Sequence, residues 1–283
     1  MSNIIEVKDL VVKFGDFAAV DGISFDVKEG EIFGFLGPNG AGKTTSIRTI
    51  TTIQKFESGS VFVDGHDIRT EFLEARKLIG IAQQHISLDT ELTVRQNIKH
   101  HAIMRKIPKK DIDRIVNETA SILELDDYMD KKVMNLSGGW KRKTNIVCAI
   151  IHKPKILLLD EPTAGLDTRS RHMLWELVRK LNSNGTTIFL TTHYIEEAES
   201  LCDRVAVIDH GKLIAIGTTD ELRDRVGKIT VETSSDDGKR VVQYFRDMAS
   251  AKEFSKTLGD RLYTIRRTSL EDVYLELTGG LIQ

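Results

Sequence analysis

Two segments of the chain contain the residue types that bind phosphate groups and a divalent cation. The first is Gly37-Pro38-Asn39-Gly40-Ala41-Gly42-Lys43-Thr44, which fits the pattern G-x-x-x-x-G-K-[ST] between a predicted strand and a predicted helix. Glycines let the backbone curl so that several N–H groups point inward, and the following helix N-terminus adds positive potential. Lys43 then supplies a charge for the β- and γ-phosphates, and the Thr44 hydroxyl supplies a Mg²⁺ ligand. The alternative, a glycine-rich turn with an incidental lysine, does not require this strand–loop–helix context.

The second segment is an apolar strand that ends in two carboxylates. Residues 156–159 are Ile-Leu-Leu-Leu, and Asp160 and Glu161 follow them directly. In parallel sheets ligands collect beyond the carboxyl ends of the strands, so Asp160 is placed to hold Mg²⁺ through its waters. Glu161 is then the candidate to orient and polarise an attacking water. A strand followed by a solvated turn gives the same pattern, but the phosphate-binding loop upstream favours the functional interpretation.

Short apolar bursts on both sides of a helix-rich region must position these residues. Strand patterns occur within residues 4–36, at 61–63 before an Asp-Gly turn, and at 156–159, 186–191 and 205–208. Residues 93–152 instead follow helical spacing, and Pro108 is a favourable first-turn residue for one of these helices. An amphipathic helix lies between the strands at 156–159 and 186–191. Buried strands joined by a helix indicate a parallel sheet and an α/β fold.

Composition limits what kind of protein this is. The chain has 283 residues, of which 40% are hydrophobic, and this is enough for one large domain plus a small one at ~150 residues per domain. A net charge of −2 gives no indication of nucleic-acid binding. No signal peptide is evident, and no apolar run reaches the ~20 residues that cross a bilayer, so membrane work requires a partner. Cys148 and Cys202 are interpreted as small buried hydrophobes, and the basic run at 141–143 as a solvated helix face.

The pattern restarts near Gly227. Strands are predicted at 229–233 and 241–245 around the turn at 234–238, followed by a helix at 249–258, a strand at 262–266 and a last helix at 270–277. We therefore predict two domains, residues 1–226 and a small α+β domain of residues 227–283.

The segment Leu136-Ser137-Gly138-Gly139-Trp140 narrows the class of protein. Alone it is a loop and helix cap, but between a phosphate-binding loop and Asp160 it resembles the signature motif of the ABC ATPase family. That motif is normally L-S-G-G followed by Gln or Met, so Trp140 departs from it. An indole is larger than a glutamine side chain and can only donate a hydrogen bond. Because Ser137 and the Gly138 and Gly139 amides are retained, the change bears on the tightness of an ATP-bound dimer rather than on its existence.

The resemblance covers about residues 4–220 and implies further site residues. It implies a P-loop NTPase (RecA-like) core with an N-terminal antiparallel β subdomain and an inserted helical subdomain at about 85–152. Gln84 resembles the glutamine that contacts Mg²⁺ and the attacking water, although Gln83 is adjacent and the assignment could shift by one. Ala164-Gly165-Leu166-Asp167 resembles the loop that communicates across the dimer, and His193 resembles the histidine that contacts the γ-phosphate. The implied ATP-binding set consists of Phe14 on the adenine, the run from Gly37 to Thr44, and Thr45.

The same resemblance implies partners, a location and a direction of transport. Two ATPase subunits, identical or different, form a head-to-tail dimer with two ATP molecules between them. Each ATP is contacted by Lys43, Thr44 and Asp160 of one subunit and by Ser137 of the second subunit. The helix-rich region docks an integral membrane permease, which places the chain in the cytoplasm, peripheral to the cytoplasmic face of the cell membrane. Residues 268–279 (TSLEDVYLELTG) resemble the tail of drug-resistance and ABC-2-type exporter ATPases, which favours export.

Two other functions fit parts of the sequence. Soluble ABC proteins that act on ribosomes or DNA share these motifs, but they have paired cassettes with a basic linker or long coiled coils, and this chain has neither. A nucleotide-binding sensor without catalysis is the other alternative. It is disfavoured because Glu161 and His193 are both present.

Overall fold

The computed structural model describes residues 2–235 and 238–279. Within them the strands are β1 (Asn3–Phe14), β2 (Phe17–Lys28), β3 (Ile32–Leu36), β4 (Ser58–Val63), β5 (His66–Asp67), β6 (Ile79–Ala82), β7 (Ile156–Asp160), β8 (Thr187–Thr192), β9 (Arg204–Asp209), β10 (Lys212–Gly217), β11 (Ile229–Ser234), β12 (Arg240–Phe245) and β13 (Tyr263–Arg267). The α-helices are α1 (Lys43–Ile50), α2 (Phe72–Leu78), α3 (Val94–Met104), α4 (Lys109–Ile122), α5 (Gly138–Ile150), α6 (Thr168–Ser183), α7 (Ile195–Leu201), α8 (Thr219–Val226), α9 (Met248–Lys256) and α10 (Leu270–Thr278).

A six-stranded sheet forms the centre of the protein and confirms the predicted α/β class. Its order is β10-β9-β3-β8-β7-β6, and the contacts from β9 to β6 are parallel. Asp160 pairs with Thr191, and Leu36 pairs with Thr192. The carboxyl ends of three neighbouring strands therefore meet at one edge, where the sequence places the phosphate-binding loop, the paired carboxylates and the segment before His193.

Both faces of the central sheet are covered, which explains its almost continuous apolar strands. Phe33, Phe35 and Phe189 lie on one face, in the core shared with the antiparallel sheet β2-β1-β4-β5. Leu157 and Leu190 lie on the other face, in the core formed with the helices between α3 and α6. These layers correspond to the predicted N-terminal β subdomain and helical subdomain.

The C-terminal elements form a small antiparallel sheet with two helices. Its order is β12-β11-β13, which confirms the predicted hairpin and the third strand, although residues 236 and 237 of the predicted turn lie outside the described residues. Ser269 and Asp272 form a capping box at the start of α10, in which each side chain accepts a hydrogen bond from the backbone N–H of the other residue. Leu270 and Val273 are fully buried against residues of α7, α8 and the edge of the central sheet. The last helix therefore joins the small sheet to the core.

Candidate nucleotide-binding site

The loop between β3 and α1 needs glycine at two positions for steric reasons. A Cβ at Gly37 would lie 2.2 Å from the carbonyl oxygen of Ile208. Gly42 has φ of +102°, and a Cβ there would lie 2.4 Å from the carbonyl oxygen of Ala19. Backbone from β2 and β9 therefore closes on the loop from both sides, so that the loop is held with its amides in a fixed arrangement.

Lys43 lies at the centre of this loop and is only 4% exposed. Its Nζ donates hydrogen bonds to the carbonyl oxygens of Gly37 (2.8 Å) and Pro38 (2.9 Å) and lies 3.3 Å from Oε1 of Glu161. Burial lowers the pKa of the Lys43 amine, and the negative charges of Glu161 and Asp160 act in the opposite direction. The amine is thus held by two neutral carbonyl acceptors next to one carboxylate. Charged phosphate oxygens accept stronger hydrogen bonds from an amine, so they could replace the carbonyl oxygens.

Asp160 and Thr44, which the sequence predicts as ligands of the same cation, are joined by a hydrogen bond. Oδ1 of Asp160 accepts hydrogen bonds from the Thr44 hydroxyl (3.1 Å) and from the Thr191 hydroxyl (2.7 Å). Thr191 was not among the residues predicted for the site. The signal for it was available, because a threonine at the end of a strand next to β7 must lie beside Asp160 in parallel register.

Glu161 is the meeting point of three predicted site residues. Its Oε2 accepts a hydrogen bond from Nε2 of Gln84 (3.2 Å) and lies 3.3 Å from Nδ1 of His193, while Oε1 faces Lys43. The residue has φ of +46°, and its N–H donates to the backbone carbonyl (3.1 Å) and the hydroxyl (3.1 Å) of Thr191. A left-handed conformation at a non-glycine residue is costly, and here neighbouring strand atoms hold it in place.

The basic run at 141–143 is not a solvated face, and this prediction was wrong. Arg142 and Lys143 are buried, and Arg142 donates to the carbonyl oxygens of Gln83 (2.7 Å) and Gln84 (2.8 Å). The guanidinium therefore fixes the backbone from which Gln84 reaches Glu161. The Gln84 side chain makes this contact, so the geometry favours Gln84 over Gln83 as the site glutamine.

Arg142→Met should lower ATP turnover about tenfold, because a mobile Gln84 no longer orients groups at Glu161. Loss of the two hydrogen bonds should also lower the free energy of unfolding by about 2 kcal/mol. Phosphate release and chemical denaturation measure the two effects. Arg114→Met on the exposed face of α4 is the control and should change neither. Unchanged turnover in Arg142→Met, despite the lost stability, would contradict this role.

The phosphate-binding loop, Glu161 and Gln84 line one open cleft of about 360 Å³. The other lining residues outside the loop are Phe14, Phe17, Ala19 and Thr45. Phe14 is 52% exposed, as a side chain available for stacking must be, and Phe17 is a second exposed aromatic that sequence analysis missed. A cavity of about 420 Å³ near α2 is somewhat larger and contains Lys55, Arg69 and Arg76, but it lacks the glycine-rich loop and the carboxylates. Chemistry, rather than volume, therefore identifies the first cleft as the candidate site.

The predicted signature residues form a second cluster. Ser137, Gly138, Gly139 and Asp167 are not among the residues that line the cleft. A Cβ at Gly139 would lie 2.6 Å from Oγ of Ser170, whose backbone N–H and hydroxyl both donate to Asp167. The start of α5 and the start of α6 are thus packed together outside the cleft that Lys43 lines.

Trp140 is built into this second cluster by stacking. Its ring lies 3.8 Å from the Tyr128 ring, centroid to centroid, and Nζ of Lys143 lies 4.8 Å from its centroid. Stacked aromatic rings and a cation on the ring face stabilise such an arrangement. The indole therefore packs against the helical region beside Ser137.

The donor set at Asp160 fits a magnesium ion. Thr44, Asp160 and Gln84 offer a hydroxyl, a carboxylate and an amide oxygen, which are the ligands that Mg²⁺ prefers. Within residues 2–235 and 238–279 no group of three or more His, Cys, Asp or Glu residues could hold a metal by itself. The protein oxygens thus fit an ion that takes its remaining ligands from water and a nucleotide. In the same ranges no helix has the length and apolarity that crossing a bilayer requires.

A parallel sheet that ends in a glycine-rich loop, a lysine and paired carboxylates defines a P-loop ATPase. The ABC transporter family matches residues 20–164. The daunorubicin/doxorubicin resistance ATP-binding protein DrrA of Streptomyces peucetius is 36% identical to this chain, over 98% of the chain and 93% of DrrA. The Nod factor export ATP-binding protein I of Rhizobium sp. (strain N33) is 37% identical, over 99% of the chain and 98% of that protein. The chain belongs to the ABC transporter family as an ATP-binding subunit that hydrolyses ATP.

Solved structures agree with this assignment. The ATP binding subunit of an ABC transporter has a TM-score of 0.73 to this chain, with 25% identity over 97% of the chain and 99% of that structure. A dimeric ATP-binding cassette, MJ0796, in a post-hydrolysis state bound to ADP and Pi has a TM-score of 0.67 and 26% identity, over 76% of the chain and 98% of that structure. These relatives are transporter ATPase subunits, so the alternative of a ribosome- or DNA-acting protein is not supported, and the prediction of an ATPase is confirmed.

Proposed function

We propose that this chain hydrolyses ATP in the cleft between its phosphate-binding loop and Glu161, and that it thereby drives export through a separate membrane-spanning subunit. The observation that carries this proposal is the convergence on Glu161. Lys43, Gln84 and His193 approach its carboxylate from three different segments. A carboxylate held in this way can accept a proton from a water that attacks a phosphate bound at the loop.

Each predicted residue then has a role in that cleft. The loop amides from Gly37 to Thr44 bind phosphate oxygens together with Thr45, and Phe14 stacks on the adenine ring. Lys43 moves from its carbonyl acceptors to the β- and γ-phosphates. His193 donates to the γ-phosphate. Thr44, Asp160 and Gln84 hold Mg²⁺, which when bound neutralises phosphate charge.

The second cluster implies a second subunit. A triphosphate bound at Lys43 is contacted from one side only, and Ser137 with the Gly138 and Gly139 amides offers matching donors that lie outside the chain's own cleft. A head-to-tail pair, with identical or different subunits, brings the two clusters together, with Asp167 at the contact. The dimeric cassette among the structural relatives supports this arrangement.

A membrane subunit has a suitable docking surface near the helical region. We define the α2–α3 surface by Ile53, Phe72, Leu73, Ile103 and Met104, all exposed apolar side chains. The two helices are connected, because Arg105 after α3 donates to the backbone carbonyl of Arg76 in α2. Exposed apolar patches mark contact sites. A cytoplasmic loop of the permease would cover this surface, which places the chain at the cytoplasmic face of the membrane.

Leu73→Asp combined with Met104→Asp should release the chain from its membrane, because a docking contact cannot bury two unpaired carboxylates. We expect the membrane-bound fraction in the native cell to fall about tenfold, which corresponds to roughly 1.4 kcal/mol of lost binding. Fractionation with quantitative blotting measures this. Ile122→Asp is the matched control, since Ile122 is 53% exposed but lies at the end of α4. Equal membrane retention of the unsubstituted protein, the double variant and Ile122→Asp would contradict docking at this surface.

The domain division and the direction of transport are part of the same proposal. Residues 1–226 form the nucleotide-binding domain, and residues 227–283 form an accessory domain connected to it by α10. Export is supported by the named functions of the relatives, which are drug resistance and Nod factor export.

A further inference from the structure

A buried carboxyl group that ATP hydrolysis does not use lies immediately behind the site. Glu197 in α7 has no exposed surface. Its Oε1 accepts hydrogen bonds from the Thr163 hydroxyl (2.9 Å) and from the Trp175 indole N–H (3.2 Å). The Thr192 side chain is a third polar neighbour of this carboxyl group, whose other oxygen, Oε2, accepts no hydrogen bond within the described residues.

These three neighbours belong to the segments that carry the reacting groups. Thr163 lies between Glu161 and Asp167, and its backbone carbonyl accepts the N–H of Leu166, which closes the turn toward Asp167. Trp175 is in α6, the helix that Asp167 caps.

Thr192 connects Glu197 to the remaining parts of the cleft. It directly precedes His193, and its hydroxyl accepts the N–H of Tyr194 (2.9 Å). Its backbone carbonyl accepts the N–H of Gly37 (3.2 Å), the first residue of the phosphate-binding loop. One side chain of α7 therefore contacts the Glu161–Asp167 segment, the His193 segment and α6.

Packing alone does not account for an acidic residue at this position. Burial raises the pKa of the Glu197 carboxyl group, although the hydrogen bonds of its three neighbours act to lower it. A leucine of similar size would fill the space without the cost of removing a carboxyl group from water. What leucine cannot do is accept the hydrogen bonds of Thr163 and Trp175, whose segments the carboxyl group joins to α7.

We propose that Glu197 is a positioning residue, whose carboxyl oxygen acts as a common acceptor that keeps the Glu161–Asp167 segment and the His193 segment in fixed relative positions. This inference rests on the roles proposed above for Glu161 and His193. It implies that loss of the acceptor slows the chemical step. Nucleotide binding should be retained, because Lys43 and the loop amides make no contact with Glu197.

The test compares variants that remove the donor or the acceptor with variants that keep them. Thr163→Val and Glu197→Leu should each lower kcat about tenfold while the Kd for ATP stays within about twofold. Thr163→Ser keeps the hydroxyl donor, and Glu197→Gln keeps an oxygen acceptor in its amide group. Both variants should therefore retain kcat within about threefold of the unsubstituted protein. A double variant that combines Thr163→Val with Glu197→Leu should have the same kcat as Glu197→Leu alone, since both substitutions interrupt the same contact.

The neighbouring residue Glu196 supplies the matched control. It is exposed on the same helix and pairs with Arg171, so Glu196→Gln should leave kcat and Kd unchanged. Phosphate release gives kcat, fluorescent nucleotide titration gives Kd, and thermal unfolding reports stability for every variant. If Glu197→Leu does not fold, Thr163→Val and Thr163→Ser decide the question.

Two results would overturn the inference. One is a lowered Tm with kcat within about twofold in Thr163→Val, which would leave Glu197 a purely structural role. The other is a rise in Kd as large as the loss in kcat, which would make it part of nucleotide binding. Failure of the proposed function is recognised separately, because it would appear as normal turnover in Glu161→Gln.

Discussion

Glu161→Gln is expected to lower ATP turnover at least about a hundredfold, the range lost with a general base. Glutamine has nearly the same shape and can still accept a hydrogen bond from Lys43, which lies 3.3 Å from Oε1. It cannot accept a proton from water. ATP binding should therefore persist, and because hydrolysis no longer releases the nucleotide, ATP should hold two subunits together.

Phosphate release measures the loss of turnover, and analytical ultracentrifugation with and without Mg-ATP measures the dimer. Glu118→Gln on α4 is the control, because this glutamate is exposed and pairs only with Arg114 among the contacts described for it. The expected result is that Glu161→Gln forms a dimer with ATP but not with ADP. Near-normal turnover in Glu161→Gln would remove Glu161 from its role, and loss of ATP binding would show that the carboxylate mainly supports the loop.

Local motifs and hydrophobic periodicity predicted most of this fold. The phosphate-binding loop is glycine-rich for reasons that act within a few residues, and the strand β7 is apolar because helices and the antiparallel sheet cover both of its faces. Such constraints leave a local record in the sequence. The parallel register of β7 and β8 then places Asp160 beside Thr191 without further information.

Contacts between segments that are distant in the sequence were harder to predict. Arg142 looked like part of a solvated charge run because its acceptors are backbone carbonyls, and any residue type at 83 and 84 would provide them. A clue was available in the apolar residues that surround it, since α5 is buried over most of its length. Glu197 is similar, because a glutamate in the first turn of a helix is ordinary until Thr163 and Trp175 are placed beside it.

In the proposed dimer, the separation of the two clusters explains why one chain contains complete motifs but only part of a working site. Lys43 and Glu161 meet inside one cleft, whereas Gly139 lies against Ser170, which is hydrogen-bonded to Asp167, outside that cleft. A protein built to hydrolyse ATP alone would gain from having all donors in one cleft. Under the proposed function, placing half of them elsewhere makes hydrolysis depend on a second subunit, and we propose that this dependence couples ATP to movement.

Lys43→Ala should weaken ATP binding about a hundredfold, which corresponds to roughly 2.7 kcal/mol. The amine is buried at the loop and supplies the charge-assisted hydrogen bonds to phosphate, each worth about 1.5–3 kcal/mol. Fluorescent nucleotide titration measures the Kd. Circular dichroism must show an intact fold, because the change also leaves Glu161 without the cation 3.3 Å away.

Lys55→Ala is the control that makes this experiment decisive, because it tests the competing cavity. Lys55 lines the slightly larger cavity near α2, with Arg69 and Arg76. If ATP binds through the glycine-rich loop, Lys55→Ala leaves the Kd unchanged while Lys43→Ala raises it. If the larger basic cavity binds the nucleotide instead, the two results are reversed. The choice between the sites thus depends on the backbone amides of the glycine-rich loop and on the Glu161 carboxylate, which line the first cleft and not the second, rather than on volume or positive charge.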